Sequence, residues 1–298
     1  MNDTCISFNL DNNAFRGRIV RLDDVMRQIF THAKYPDNVA AAIAETTALG
    51  VLIASLMKFE GIFTLQLQGS GPISLLVADV TSAGKVRATA KYDAKAIESA
   101  QVLRKTEGQI EPTPHWLEQG NLIFTVDQGK NTELYQGVVD LKGKNLEECA
   151  LRYFKNSEQI DTYLHLYLNR DGDVWKSAGI LLQKMPQKGG KDGAEDNEAL
   201  EELWNEDKIL TDSLKQEEIF NLDLEEVLFR LFYEHQVRVS KKQEYVFGCR
   251  CNREKLQQTL SSMKPEDIED MVENGKITAT CNFCGQVYAF DKGELLKH

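Results

Sequence analysis

Cys249-Arg250-Cys251 and Cys281-Asn282-Phe283-Cys284 hold four of the chain's six cysteines. Two tight pairs of thiols, one at each end of the segment 252–280, are what a tetrahedral metal site needs. Zinc takes four thiolates at about 2.3 Å each and has no redox chemistry of its own. Gly285 follows the second pair, and its small size lets backbone N–H groups approach the sulfurs. The first pair is unusual, because it carries one spacer residue where structural zinc sites mostly carry two or more. The expected ligands are Cys249, Cys251, Cys281 and Cys284, with one Zn2+ per chain in the reduced state.

The same sulfurs can do redox chemistry. Thiolates are the form that oxidants attack, and each pair is close enough in sequence to form a local disulfide. A disulfide sulfur is a poor zinc ligand, so oxidation and zinc retention exclude one another. Three jobs follow: a static zinc ribbon for docking, a thiol–disulfide oxidoreductase, and a switch that loses its metal on oxidation. The oxidoreductase fits least well, since Cys281–Cys284 does not open a helix in a βαβ unit. On the residues alone, the static site and the switch both stay open.

Those cysteines sit at the end of a 298-residue chain of net charge −11. Residues 1–190 are near neutral, and 191–234 are densely acidic. An acidic half repels phosphate backbones, so nucleic acid is not an expected partner. The most apolar run, 39–57, contains Glu45, Thr46, Thr47 and Ser55. It reads as a buried helix, so no membrane partner is expected. The N-terminus lacks a basic segment followed by an apolar one, which points to the reducing cytosol and away from structural disulfides.

Periodicity supplies the elements that must position the cysteines. Residues 1–12 show no assignable pattern. A strand is expected at 13–20, a helix at 22–32, and a helix from 39 to 57 capped by Asp37 or Asn38, with Gly50 marking close packing. A three-strand meander covers 61–68, 73–80 and 86–90. Its Gly69-Ser70-Gly71-Pro72 turn lacks the Gly-Lys-Ser/Thr of a phosphate loop, and no nucleotide site is expected. Residues 93–120 resist placement. A hairpin at 122–126 and 134–139 turns around Gly129-Lys130-Asn131, a helix spans 146–154, and a second hairpin pairs 162–168 with 174–183. The turn Asn169-Arg170-Asp171-Gly172-Asp173 lacks the downstream acidic ligand of a calcium loop. Cys5 and Cys149 lack a close partner and read as buried or incidental thiols. No histidine belongs to a triad, and His165 reads as a strand residue.

Beyond Pro186, the stretch 187–194 has a flexible composition, and the pattern turns helical. Leu224, Val227, Leu228, Leu231 and Phe232 fall on one helical face. One such stripe cannot offset the entropy of ordering its own segment, so it must dock on either neighbouring module. In the last module a helix is expected at 252–262. A second starts at Pro265 and is closed by Gly275, and strands at 277–280 and 287–290 flank the second cysteine pair. The core there is thin, so metal loss should unfold it, release 195–240 and expose the apolar helix. The fold class is α+β, with an α/β core domain (1–188), an acidic helical linker (189–243) and a zinc-binding redox-switch domain (244–298).

The cysteine pattern resembles that of the redox-regulated 33-kDa heat-shock chaperone family. The resemblance extends to Leu65-Gln66-Leu67-Gln68-Gly69-Ser70-Gly71-Pro72, Tyr135-Gln136-Gly137-Val138-Val139, Tyr153-Phe154 with Ser157-Glu158-Gln159, and Ala178-Gly179-Ile180-Leu181-Leu182-Gln183-Lys184-Met185-Pro186, in that order. One departure is Arg87-Ala88, where a glycine is expected after the arginine; this position is expected to touch no zinc ligand. The resemblance implies an ATP-independent holdase, not an enzyme, that is inactive when reduced and zinc-bound. It implies that oxidation joins Cys249 to Cys251 and Cys281 to Cys284, releases zinc, unfolds the linker and favours a homodimer that holds unfolding client proteins. Leu224, Val227, Leu228, Leu231 and Phe232 are the candidate client-binding residues on the linker's own pattern, not by resemblance.

Overall fold

The computed structural model describes residues 3–129, 133–186 and 193–295. Lys130 and Asn131 of the expected turn at Gly129-Lys130-Asn131 and most of the flexible stretch 187–194 fall outside them. Strand β1 (Thr4–Leu10) runs into β2 (Phe15–Leu22) through a tight turn. Asp11, Asn12 and Asn13 all have positive φ there, at 47°, 54° and 72°, a conformation that Asn and Asp tolerate better than other side-chain-bearing residues. Strand β1 went unassigned in the sequence although Ile6, Phe8 and Leu10 alternate; all three are buried.

Helix α1 (Asp24–Thr31) begins where the Asp3 carboxylate accepts hydrogen bonds from the N–H groups of Asp23 and Asp24, at 2.7 and 3.0 Å. Helix α2 (Asp37–Leu56) is long and apolar enough to cross a membrane, and 83% of its apolar window is buried inside the protein. Thr46 and Thr47 turn their hydroxyls back onto the carbonyls of Ala42 and Ile43, which satisfies them within the core. Gly50 packs against Ala78, where an added Cβ would lie 3.3 Å away. The expected cap from Asp37 or Asn38 is not made, since Pro36 occupies the cap position. Asn38 is drawn away, donating to the Gln109 carbonyl and accepting from the Glu111 N–H.

Strands β3 (Ile62–Gly69), β4 (Ile73–Thr81) and β5 (Lys85–Tyr92) form the expected meander. The unplaced region 93–120 contains α3 (Ala94–Arg104) and α4 (Thr113–Leu117). Strand β6 (Gly120–Asp127) then pairs with β3 and with β7 (Tyr135–Asp140). After α5 (Leu146–Tyr153), strands β8 (Thr162–Asp171) and β9 (Val174–Lys184) form the second hairpin. Helix α2 packs against both β4 and β9, so it lies between the two large sheets and nucleates the main core.

The acidic segment forms α6 (Gly193–Asp212), α7 (Gln216–Asn221) and α8 (Leu224–Phe232). These dock on the β1–β2–β9 sheet. Leu224, Val227, Leu228 and Phe232 share one buried cluster with Ile6, Phe8, Phe15, Ile19, Ile180 and Leu182, and Leu231 packs at its edge. Phe232 stacks on Phe8 at 5.9 Å, and Trp204 meets Phe15 at 5.3 Å. Arg21 donates to the carbonyls of Ile219 and Leu222 at the end of α7. At the end of α6, Asp212 accepts from Tyr163 at 2.6 Å and lies 2.7 Å from His165 Nε2. Glu147 sits 3.6 Å from the other ring nitrogen of His165.

Strand β10 (Arg238–Glu244) then pairs with β1, and β11 (Val246–Phe247) pairs in parallel with β5. Residues 238–247, divided in the sequence between linker and zinc domain, are thus built into the two sheets. Tyr245 between them is 4% exposed and donates its N–H to the Asp3 carbonyl. The last module contains α9 (Arg253–Ser261), α10 (Pro265–Asp270), β12 (Lys276–Thr280), β13 (Val287–Asp291) and α11 (Lys292–Leu295). Gly275 does not close α10. With Asn274 it forms a left-handed turn bridged by Glu273 and Lys276, because two successive positive φ values suit a hairpin entry.

Phe232→Ala removes a fully buried ring and should cost about 3–5 kcal/mol of docking energy. Hydrogen exchange should rise across 216–235 while α2 stays protected. Glu147, against the opposing effect of burial, and then Asp212 hold the His165 pKa above its ordinary 6.5. The charged ring therefore contributes stability fully below that value and loses it as pH rises through the raised one. Thermal melts should show this pH-dependent increment in the wild type and not in His165→Gln.

Candidate metal centre

Strand β11 delivers the first cysteine pair. Gly248 donates to the Val86 carbonyl at 2.9 Å and lies against the Lys85 side chain, where an added Cβ would meet it at 2.8 Å. The chain leaves the sheet at once into Cys249-Arg250-Cys251. The second pair lies in the turn that joins β12 to β13. The Cys281 N–H bonds the Gln286 carbonyl at 2.9 Å, and the Gly285 N–H bonds the Cys281 carbonyl at 2.8 Å. Gly285 has φ 66° and approaches His32, so a side chain there would be strained and crowded. This pair is in a β-turn and not at a helix start.

All four predicted ligands are brought together. Their sulfurs lie within 4.8 Å of one another. Cys249 and Cys281 are 3.7 Å apart, and Cys251 and Cys284 are 3.4 Å apart. Four sulfurs about 2.3 Å from a central zinc would be about 3.8 Å apart. The thiols are free, and bonding any two requires approach to about 2.05 Å. A soft, all-sulfur set at this spacing fits zinc.

A positive shell supports the sulfurs. Arg87 on β5 donates to Cys249 Sγ at 3.6 Å and stacks over the Phe283 ring at 3.9 Å. The expectation that the Arg87-Ala88 position touches no ligand is therefore corrected at Arg87: a guanidinium reaches further than strand spacing indicates. Arg87 is fixed by Asp79 on β4 at 2.7 Å. The same carboxylate pairs with Arg250, the spacer of the first cysteine pair, at 2.5 Å and accepts from Thr64. Thr89 donates to the Asn282 carbonyl, and the Tyr288 hydroxyl donates to Cys251 Sγ at 3.3 Å. Asp79, Arg87, Thr89, Arg250 and Tyr288 were missed in the sequence. Their one signal is Asp79, the single charged residue in the otherwise largely apolar β4.

Burial acts to raise the pKa of Cys249, Cys281 and Cys284. At Cys249, the Cys251 N–H, Arg87 and the neighbouring thiols outweigh it and bring the value down to about 7. Burial dominates at Cys281 and Cys284, which are pushed up. Cys249 therefore gives up its proton more readily than Cys281 or Cys284. The module beneath has a thin core of Leu260, Ile268, Ile277, Phe290 and Leu295. The candidate client-binding residues are not part of this centre, since they face the β1–β2–β9 sheet.

Comparisons with known proteins place this geometry in context. The family model described as Hsp33 protein matches residues 3–291. The 33 kDa chaperonin of Aliivibrio salmonicida is 35% identical over 291 residues, covering 97% of this chain and 93% of that protein. The 33 kDa chaperonin of Pseudomonas paraeruginosa is 37% identical over 290 residues, covering 97% and 91%. A crystal structure of the 33 kDa chaperonin from Thermotoga maritima superposes with a TM-score of 0.79 at 22% identity, covering 99% and 97% of the two chains, which speaks for the fold.

Replacing Asp79 by Ala leaves two guanidinium groups without their buried partner, at a cost of up to about 3–5 kcal/mol. Hydrogen exchange should rise at 248–251 and 281–286, and denaturant unfolding should shift to lower concentration.

Proposed function

The chain belongs to the Hsp33 family, and from that we propose a redox-controlled, ATP-independent chaperone that holds unfolding proteins and catalyses no reaction. The convergence of four free sulfurs within 4.8 Å carries this reading. In the reduced state Cys249, Cys251, Cys281 and Cys284 act as four thiolate ligands. Zinc, when bound, supplies the charge that lets four thiolates share one small volume and so stabilises the module.

Oxidation acts through the cysteines. Two thiolates transfer two electrons to one hydrogen peroxide and form one disulfide, and two protons from solvent complete two waters. Two such events join Cys249 to Cys251 and Cys281 to Cys284. A sulfur in a disulfide no longer donates as a thiolate, so the metal is lost. What remains is a core too small to hold the last module folded. The Arg250–Asp79 and Thr89–Asn282 contacts go with it, and then the short parallel pairing of β11.

The linker follows because β10 and β11 are continuous with the cysteine module. Release of α8 uncovers Leu224, Val227, Leu228, Leu231 and Phe232, the surface proposed to bind clients. The oxidised form is proposed to pair as a homodimer and to need neither nucleotide nor nucleic acid, in the cytoplasm. The division 1–188, 189–243 and 244–298 describes functional units: the scaffold, the released segment and the switch.

Peroxide with mild heat should release about one zinc per chain and switch on suppression of client aggregation, followed by a chromophoric chelator and by light scattering. Equal suppression by the reduced zinc form, with no gain on oxidation, would sink the proposal.

A further inference from the structure

A second group of metal-ligating side chains lies far along the chain from the cysteines. Asp11 belongs to the left-handed β1–β2 turn, Asp207 to α6, and His235 to the short 3-10 turn after α8. One ligating atom from each lies within 4.8 Å of the others. His235 Nδ1 is 3.2 Å from Asp11 Oδ2 and 3.1 Å from Asp207 Oδ1. The other ring nitrogen lies 3.7 Å from Glu206 Oε2.

Hydrogen bonding leaves this group incomplete. Asp207 is 0% exposed, and neither of its carboxylate oxygens accepts a hydrogen bond from the described residues. His235 Nδ1 can carry one hydrogen, and its direction serves Asp11. Asp207 lies close to that nitrogen but off its bonding direction. A buried carboxylate without a donor is costly. Burial, with Asp11 and Glu206 nearby, pushes the Asp207 carboxyl up to about 8.

A cation resolves all of this at once. Donors bound at about 2.0–2.1 Å lie about 2.9–3.4 Å apart for octahedral to tetrahedral angles, and the two observed separations fall inside that range. A metal on the imidazole lone pair would have both carboxylates to the sides of that axis, so Asp207 need not lie on the N–H direction to bind it. Glu206 then takes the outer N–H, the usual partner of a metal-bound histidine. Imidazole with two carboxylates selects the zinc class over magnesium or calcium. A groove of about 460 Å³ lined by Glu206, Ile209, Tyr233 and His235 reaches the histidine side of the group.

We propose that Asp11, Asp207 and His235 form a second site for a divalent transition cation of the zinc class. It ties α6 and the turn after α8 to the β1–β2 hairpin. The site has no sulfur, so peroxide does not dismantle it. The acidic segment then carries a metal clamp of its own, separate from the cysteines.

The test uses the full-length reduced protein with its cysteine site already filled with one equivalent of zinc, so its result does not depend on oxidative activation. Cobalt(II) is the probe, because it binds nitrogen and oxygen donors visibly and displaces zinc from thiolates poorly. One further equivalent should bind, with ligand-field bands and no sulfur charge-transfer band, and should raise the melting temperature. Asp207→Asn keeps the side chain's shape and takes away the carboxylate a cation would bind, so it should fold as well as wild type. It should lose both the bands and the shift, as should His235→Gln. Absence of a second equivalent, or equal binding and equal shifts in wild type and both variants, overturns the site.

Discussion

Four sulfur atoms confined within 4.8 Å of one another set the constraint on which the C-terminal part of the chain rests. As thiolates they repel, and as thiols they bury weak hydrogen-bonding groups over a thin core. A cation of the right softness removes the repulsion, and the surrounding arginines compensate the negative charge that remains. Arg87 touches Cys249 Sγ, and Arg87 and Arg250 are both held by one carboxylate, Asp79, which lies on the scaffold and not on the module. The scaffold therefore presents a prepared electrostatic seat, and the module's fold and its attachment depend on the same sulfurs.

The acidic helices are held by other means. They bury their apolar stripe on the opposite sheet from the one that seats the cysteines, through Phe8, Phe15 and their neighbours. Coupling between the two runs along the backbone. Residues 238–247 add an edge strand to the first sheet, pass the buried Tyr245, and add a short parallel strand beside β5 before reaching Cys249. On the proposed switch, disorder in the cysteine module would travel back along this strip one strand at a time. The side-chain ties of α6, Asp212 to His165 and Trp204 to Phe15, are met only later.

Much of this was legible in the sequence, for reasons that differ by element. The four ligands stand out because their type is rare and their spacing local. Helix α2 stands out by length and composition, and α8 by a single-sided apolar stripe. What escaped notice depends on partners distant in sequence. Asp79 acquires meaning only when Arg250, 171 residues on, lies against it. Asn38 would cap a helix in isolation, but a loop from 109 to 111 competes for its amide. Gly275 follows a helix and could close it, yet the strand behind it demands a turn. The β1 alternation is plain in retrospect; polar residues around it diluted the period.

Gly17 faces the ring of Phe8 so closely that an added Cβ would lie 2.1 Å from it. The same ring stacks on Phe232 of α8. Phe8 is in effect a shim of fixed thickness between a bare backbone and the docked helix. The empty side-chain position at 17 sets how deep the shim sits, and hence the distance at which α8 meets the sheet. A residue in the first hairpin, touching neither a cysteine nor the acidic segment, thereby helps set how firmly that segment is held.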